Sequence, residues 1–309
     1  MSYTNLVSGY LTVNRLDEAR ATVQEAQAHN LDNPANHLSL YLIDFLQHDA
    51  AGMEREAAGL MGKPGFEDLM LATESDTSAY SGQFSKAREL TRRASESAQR
   101  ADEKETAAWY EADAAWREAL VGDMTQAKQQ AQAALALSTG RDVEAISAIA
   151  LGLAGDAAQA SAWPLTWPNV SRKIRLCSLI ICLRSAQPSL SKPSSATKAI
   201  DALVPAAPYE LSSSGQPLYP IYLRGDAYLA AQQASAAATE FQKILDHPGV
   251  VGNEPISALT HLGLACSYAL SGDTIKAKNA YQDFLGLWKD ADPDIPILIS
   301  AKSEYAKLQ

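Results

Sequence analysis

One arrangement of hydrophobic and polar positions recurs along this chain. A polar or glycine turn opens a helix, and a few residues later an alanine stands among charged or polar neighbours. It reads NRLDEAR, GQFSKAR, GDMTQAK, GDAAQAS, SSATKAI, ASAAATE and GDTIKAK. The marker alanines are Ala19, Ala87, Ala127, Ala160, Ala199, Ala237 and Ala277, with gaps of 68, 40, 33, 39, 38 and 40 residues. The first gap is twice 34, so a degenerate unit near HDAAGMEREAAGL is expected inside it. Ala237 and Phe241 are four residues apart, as are Ala277 and Tyr281, so each pair lies on one helix face. In IPILISAKSEYAKL, Ile297, Ala301, Tyr305 and Leu308 make one apolar stripe. That stripe predicts a last helix capping the final unit, with Asp294 as N-cap and Pro296 in the first turn. The chain therefore predicts helix after helix, with no strand pattern.

A two-helix unit buries too little surface to stand alone, so such units must stack and lean on their neighbours. The period, stretched by loop insertions, resembles that of the tetratricopeptide repeat (TPR) family, whose unit is a helix-turn-helix of about 34 residues. The last two units match best. Gly225, Tyr228, Ala237 and Phe241, then Leu264, Ala265, Tyr268, Gly272, Ala277 and Tyr281, fall at that family's small and large positions. Earlier units keep the turn and the alanine but lose the large residue. The resemblance covers roughly 5–290 and implies an all-α fold: an α-solenoid of about seven to eight stacked helix-turn-helix repeats with a C-terminal capping helix.

Composition narrows the partner. The net charge is −10, and an acidic surface repels phosphate backbones, which argues against nucleic acid. Hydrophobic residues make up 47% but aromatics only 7%; alanine fills the difference, which suits thin, closely stacked helices. Cys177, Cys182 and Cys266 form no disulfide framework and suit a reducing compartment. No leader pattern stands at the N-terminus, and no apolar run is long enough to insert in a membrane. The expected location is cytoplasmic, or extracytoplasmic if the chain is cut from a membrane-spanning parent.

One stretch breaks the pattern. From Trp163 to Lys198 there is no Asp or Glu, while Pro164, Pro168, Pro188 and Pro193 crowd into it. Proline in a helix interior costs about 3 kcal/mol. Yet the marker spacing across it, 39 residues, is ordinary. A shifted reading frame accounts for both facts. Trp163 ends in G and Pro164 begins CC, which forces alanine in the shifted text, and Trp167–Pro168 forces it again. Permitted codons across the stretch spell an amphipathic helix, a turn and another helix. The division expected is 1–162 N-terminal repeats, 163–195 an aberrant segment replacing part of a repeat, and 196–309 C-terminal repeats with the capping helix. The alternatives are a real basic, Ser/Pro-rich insertion, and an anion site on Arg172, Lys173 and Arg175.

Catalytic signatures are absent: no phosphate loop, no HExxH and no GxSxG. The Cys177–Cys182 spacing lacks a second pair, so no metal is expected. DADPDIP fails as a calcium loop, because Ile295 stands where glycine belongs and Ala301 where glutamate belongs. No cofactor is expected. The TPR resemblance implies a concave groove lined by the first helix of each unit, which would take a protein or peptide. It points to Tyr80 and Asp76, to Trp109 and Trp116 seven apart on one face, and to Tyr219, Tyr222 and Asp226. Aromatics dominate such sites because they bury large areas. The alternative for Trp109 and Trp116 is a place in the core.

AYQDFLGLWKDADPDIPILISAKSEYAKL is further similar to the end of repeat regions fused to bacterial serine/threonine protein kinases and winged-helix regulators. That resemblance implies a sensor or docking region of a larger signalling protein. The abrupt start of the first unit agrees with a truncated solenoid. The competing class is an enzyme on a helical array, which would show itself as two convergent groove carboxylates with raised pKa values.

Overall fold

The computed structural model describes residues 2–156, 193–211 and 218–309, and every regular element among them is helical. The N-terminal run is α1 (Tyr3–Thr12), α2 (Leu16–Ala28), α3 (Pro34–Leu46), α4 (Ala50–Leu60), α5 (Glu67–Tyr80), α6 (Phe84–Arg100), α7 (Lys104–Val121), α8 (Met124–Leu137) and α9 (Arg141–Leu153). Then come α10 (Pro193–Leu203), a 3-10 segment (Val204–Tyr209), α11 (Tyr219–Ala230), α12 (Ala234–Leu245), the single turn α13 (Pro248–Val251), α14 (Pro255–Leu270), α15 (Thr274–Leu287) and α16 (Pro296–Ala306). The aberrant segment 163–195 lies almost wholly outside the described residues, as does the marker Ala160.

Consecutive helices pack as antiparallel pairs: α1 with α2, α3 with α4, α5 with α6, α7 with α8, α11 with α12, and α14 with α15. The turn chemistry explains the recurring phrase. Its glycine must take a left-handed conformation, as at Gly82 (φ 75°), Gly122 (φ 92°) and Gly272 (φ 80°). The aspartate after it caps the next helix: Asp123 accepts from the Gln126 N–H at 3.1 Å, and Asp273 from the Lys276 N–H at 3.1 Å. Units without glycine use the same conformation at Asn14 (φ 57°), His48 (φ 60°) and Gln232 (φ 60°). The degenerate unit is the α3–α4 pair.

Described marker alanines are buried; Ala19, Ala87, Ala127, Ala237 and Ala277 sit on the second helix of a pair, and Ala199 sits on α10. An alanine there lets the paired helices approach closely. Phe241 shows what the space is for. Its ring is fully buried between α11 and α14, where a Cβ on Gly225 would lie 2.7 Å from it and one on Gly263 2.6 Å. The two glycines thus make a slot for one large ring.

The capping helix α16 packs on α15 and also touches α7. Its N-cap is Ile295, in extended conformation and without a side-chain cap bond, so the expectation of Asp294 is corrected by one residue. Ile295 is itself buried in the main core. Burial has displaced a polar cap there.

The row of pairs curls until its two halves meet. Gly249 of α13 lies against the Leu11 carbonyl of α1, leaving no room for a Cβ. Farther along, α14 packs on α5 and α16 on α7. One buried cluster runs from Ala79 and Phe84 through Trp116 and Tyr219 to Phe284, Trp288 and Leu298.

Candidate protein-binding groove

Of the residues expected to line a groove, Trp116 and Tyr219 meet in the junction between the halves, and the set does not form one open surface. Trp116 on α7 is 3% exposed and Tyr219 on α11 1%. The fold brings these two together, with ring centroids 4.4 Å apart. Tyr222 is buried one turn farther on, edge-on to Phe241 at 5.7 Å, inside the C-terminal core. Trp109, half-buried, packs beside Leu71, Leu90 and Tyr110. Tyr80 closes α5 and is half-buried, its ring edge-on to Phe45 at 4.9 Å. Asp226 is half-buried on α11.

The C-terminal repeats occupy the face of α5 and its following turn. Asn253, 6% exposed, donates its side-chain amide to the Thr73 carbonyl at 2.8 Å and the Thr77 hydroxyl at 2.9 Å. Tyr41 of α3 donates to the same Thr77 oxygen at 3.1 Å. Trp288, buried after α15, donates its indole N–H to the Tyr80 carbonyl at 2.9 Å. Asp292 accepts from the Ser85 N–H at 2.6 Å, and its own N–H donates to the Gly82 carbonyl at 3.0 Å. The ends of helices leave such backbone groups without intrahelical partners, so the α5–α6 turn offers a protein segment what it needs. Gly82 is required there twice: by its left-handed φ, and because a Cβ would lie 2.5 Å from the Ala291 Cβ.

Beside this contact lies a cluster that residue spacing alone did not reveal. Arg117, 4% exposed, is bonded to Asp76 and donates to the Ser75 hydroxyl at 3.1 Å and the Thr91 hydroxyl at 3.0 Å. Asp113, one turn earlier on α7, stands 3.7 Å from its Nε. From the other half, Tyr219 donates its hydroxyl to the Glu254 carboxylate at 2.9 Å. Burial raises the Asp76 carboxyl to about 7; Arg117 opposes the rise and Asp113 adds to it. Burial likewise lifts Glu254 well above the ordinary carboxylate value, with Asp76 and Asp113 adding to it. One guanidinium thus faces three carboxyl groups drawn from α5, α7 and the start of α14. The residues sit 37 and 141 positions apart, so only the fold collects them. Among the described residues no His, Cys, Asp and Glu group is arranged to hold a metal ion.

No family model matches the chain, and no curated protein matches it. A solved structure titled "Crystal Structure of P58(IPK) TPR Domain at 2.5 A" aligns with it over 99% of this chain and 97% of that one, at 12% identity and a TM-score of 0.31. The helix pairs, their left-handed turns and their buried alanines make the described residues an all-α helical repeat of stacked pairs. No described helix is long and apolar enough to cross a membrane.

Proposed function

We propose that the chain is a non-catalytic scaffold that binds a protein or peptide on the inner face of its repeats. The observation that supports this most is the α5–α6 hairpin, whose turn engages the chain's own Trp288 and Asp292 and whose α5 face engages Asn253. A face that satisfies indole, amide and carboxylate groups in this way is chemically suited to another protein surface. Trp109 and Tyr80 would supply apolar anchors, and Asp226 a charged rim on α11. Trp116 and Tyr219 would join them only when the halves part, while Tyr222 stays packed on Phe241 within the C-terminal repeats. On the similarity of its last helices to kinase- and regulator-linked repeat regions, the chain is a docking region of a bacterial signalling protein. Pull-downs with the wild type and with a Trp109→Ala, Asp226→Asn chain of equal helicity test the assignment. Loss of the recovered partner from the variant is expected; equal recovery from both would contradict it.

A second reading rests on the Asp76–Asp113–Glu254 cluster, since convergent carboxyls with raised pKa values are what acid–base catalysis uses. Against it, the Arg117 guanidinium lies among them and bonds Asp76. The scaffold accounts for the same cluster as part of the contact between halves.

A further inference from the structure

We propose that the docking of the C-terminal repeats on α5, its following turn and α7 is an autoinhibitory latch: the chain covers its own binding face and exposes it when the halves part. This rests on the scaffold reading for the identity of what is covered. The latch itself rests on geometry. Its polar bonds come from two segments, one with Asn253 and one with Trp288 and Asp292, and each reaches back about 180 to 210 positions along the chain to a backbone group of one α5–α6 hairpin. Among the described residues the other side-chain hydrogen bonds between helices reach no more than 42 positions along the chain. Opening therefore breaks a definable set of contacts and leaves each repeat with its neighbours, as the nearest-neighbour energetics of stacked repeats allow.

The chemistry at the junction supplies the trigger. When all three carboxyls are ionised, Arg117 offsets one charge of three. The closed state then holds surplus negative charge in a partly buried place, and protonation relieves it. The groups facing Asp76 are Arg117, Asp113 and Tyr110 from α7, Tyr41 from α3, and Glu254 and Tyr219 from the C-terminal half. Those facing Glu254 are Tyr219, Asp76, Asp113 and Arg117. None of the tyrosines titrates near neutrality, because burial raises each further. Closure binds protons that the open state releases. It is favoured below the ordinary carboxyl value of 3.8 and weakened as pH rises through about 7.

The test is a distance. Spin labels at the exposed positions 86 and 289 flank the Ser85–Asp292 contact, in a full chain whose three cysteines are serine. One short distance is expected at pH 5, and a second, longer population at pH 8.5, with unchanged helical circular dichroism. The neutral isosteres Asp76→Asn with Glu254→Gln should hold the short distance at both pH values. Asn253→Ala with Asp292→Ala should lengthen it at both. A distance that ignores pH in the wild type, or a Asp76→Asn, Glu254→Gln chain that opens as the wild type does, would overturn the latch. Opening at high pH without any gain in partner recovery would leave the latch standing and count against the scaffold reading instead.

Discussion

Two side chains carry unusual weight for their neighbourhoods. Arg117 bonds Asp76, Ser75 and Thr91 and stands 3.7 Å from Asp113. Arg117→Met would leave the Asp76 carboxylate without its donor, beside Ser75 and Thr91 hydroxyls that still bond each other at 2.9 Å. The expected loss is about 3–5 kcal/mol, read as a fall in the urea midpoint. Arg117→Lys should lose less, since it keeps the charge but not the forked geometry. Phe241 fills the slot between Gly225 and Gly263. Phe241→Ala should cost about 3–5 kcal/mol by emptying that slot. Gly263→Ala should cost about 1–3 kcal/mol by overfilling it, and the two changes together should cost less than their sum. The Ala237–Phe241 register was readable because both members are local, four residues apart. The Arg117 cluster was not, because its partners come from three helices and Asp76 was seen only as a groove position.

At the scale of elements, the turns did most of the signalling. A glycine with positive φ followed by a capping aspartate is a local device, and local devices survive in sequence. Where Asn14, His48 and Gln232 adopt the glycine conformation, the phrase blurs, which is why the α3–α4 unit was found by arithmetic rather than by motif. The cap of α16 was misplaced by one residue because the buried contacts of Ile295, invisible in a local pattern, outweigh a side-chain cap. Gly82 joins two elements at once. Gly82→Val should both strain the turn and push Trp288 and Ala291 off the α5–α6 hairpin, so hydrogen exchange should quicken at the Asp292 amide before it does within α1–α4. Equal protection at Asp292 in both chains would contradict that docking. The frame proposal for 163–198 belongs to this scale too. The encoding DNA is expected to permit the shifted text A-A-D-L-A-K-R-F-P-E-D-T from Trp163 onward; codons that forbid it would end the idea.

For the molecule as a whole, the succession of helix pairs was legible and their closure was not. Repeat patterns report which face of a helix meets its neighbour, but not how far the row curls before its halves touch. The aromatics assigned to an open groove have that ambiguity: Trp116 and Tyr219 were placed on an inner face, and closure makes that face an interior. Burial within the N-terminal repeats also shapes the pH response. Glu118, 3% exposed, is raised to about 7 by burial despite Arg88 at 3.0 Å, with Asp123 adding to the rise. Its contribution to stability is whole below the ordinary value of 4.5 and is lost as pH rises through about 7. A Glu118→Gln chain should therefore match the wild type in thermal midpoint near pH 5 and exceed it by a growing margin toward pH 8. A margin that shrinks over that interval would reverse the sign assigned to this group.

The claim on which the rest depends is that the C-terminal repeats sit on the N-terminal ones. Nuclear magnetic resonance of the Trp288 indole proton reads it most directly, because that proton is bonded to Tyr80, 208 positions away. At pH 5 it should exchange with solvent as slowly as amides deep in α14, and Asn253→Ala with Asp292→Ala should speed it while α14 stays protected. An indole proton that exchanges freely in the wild type would mean that the two halves do not meet.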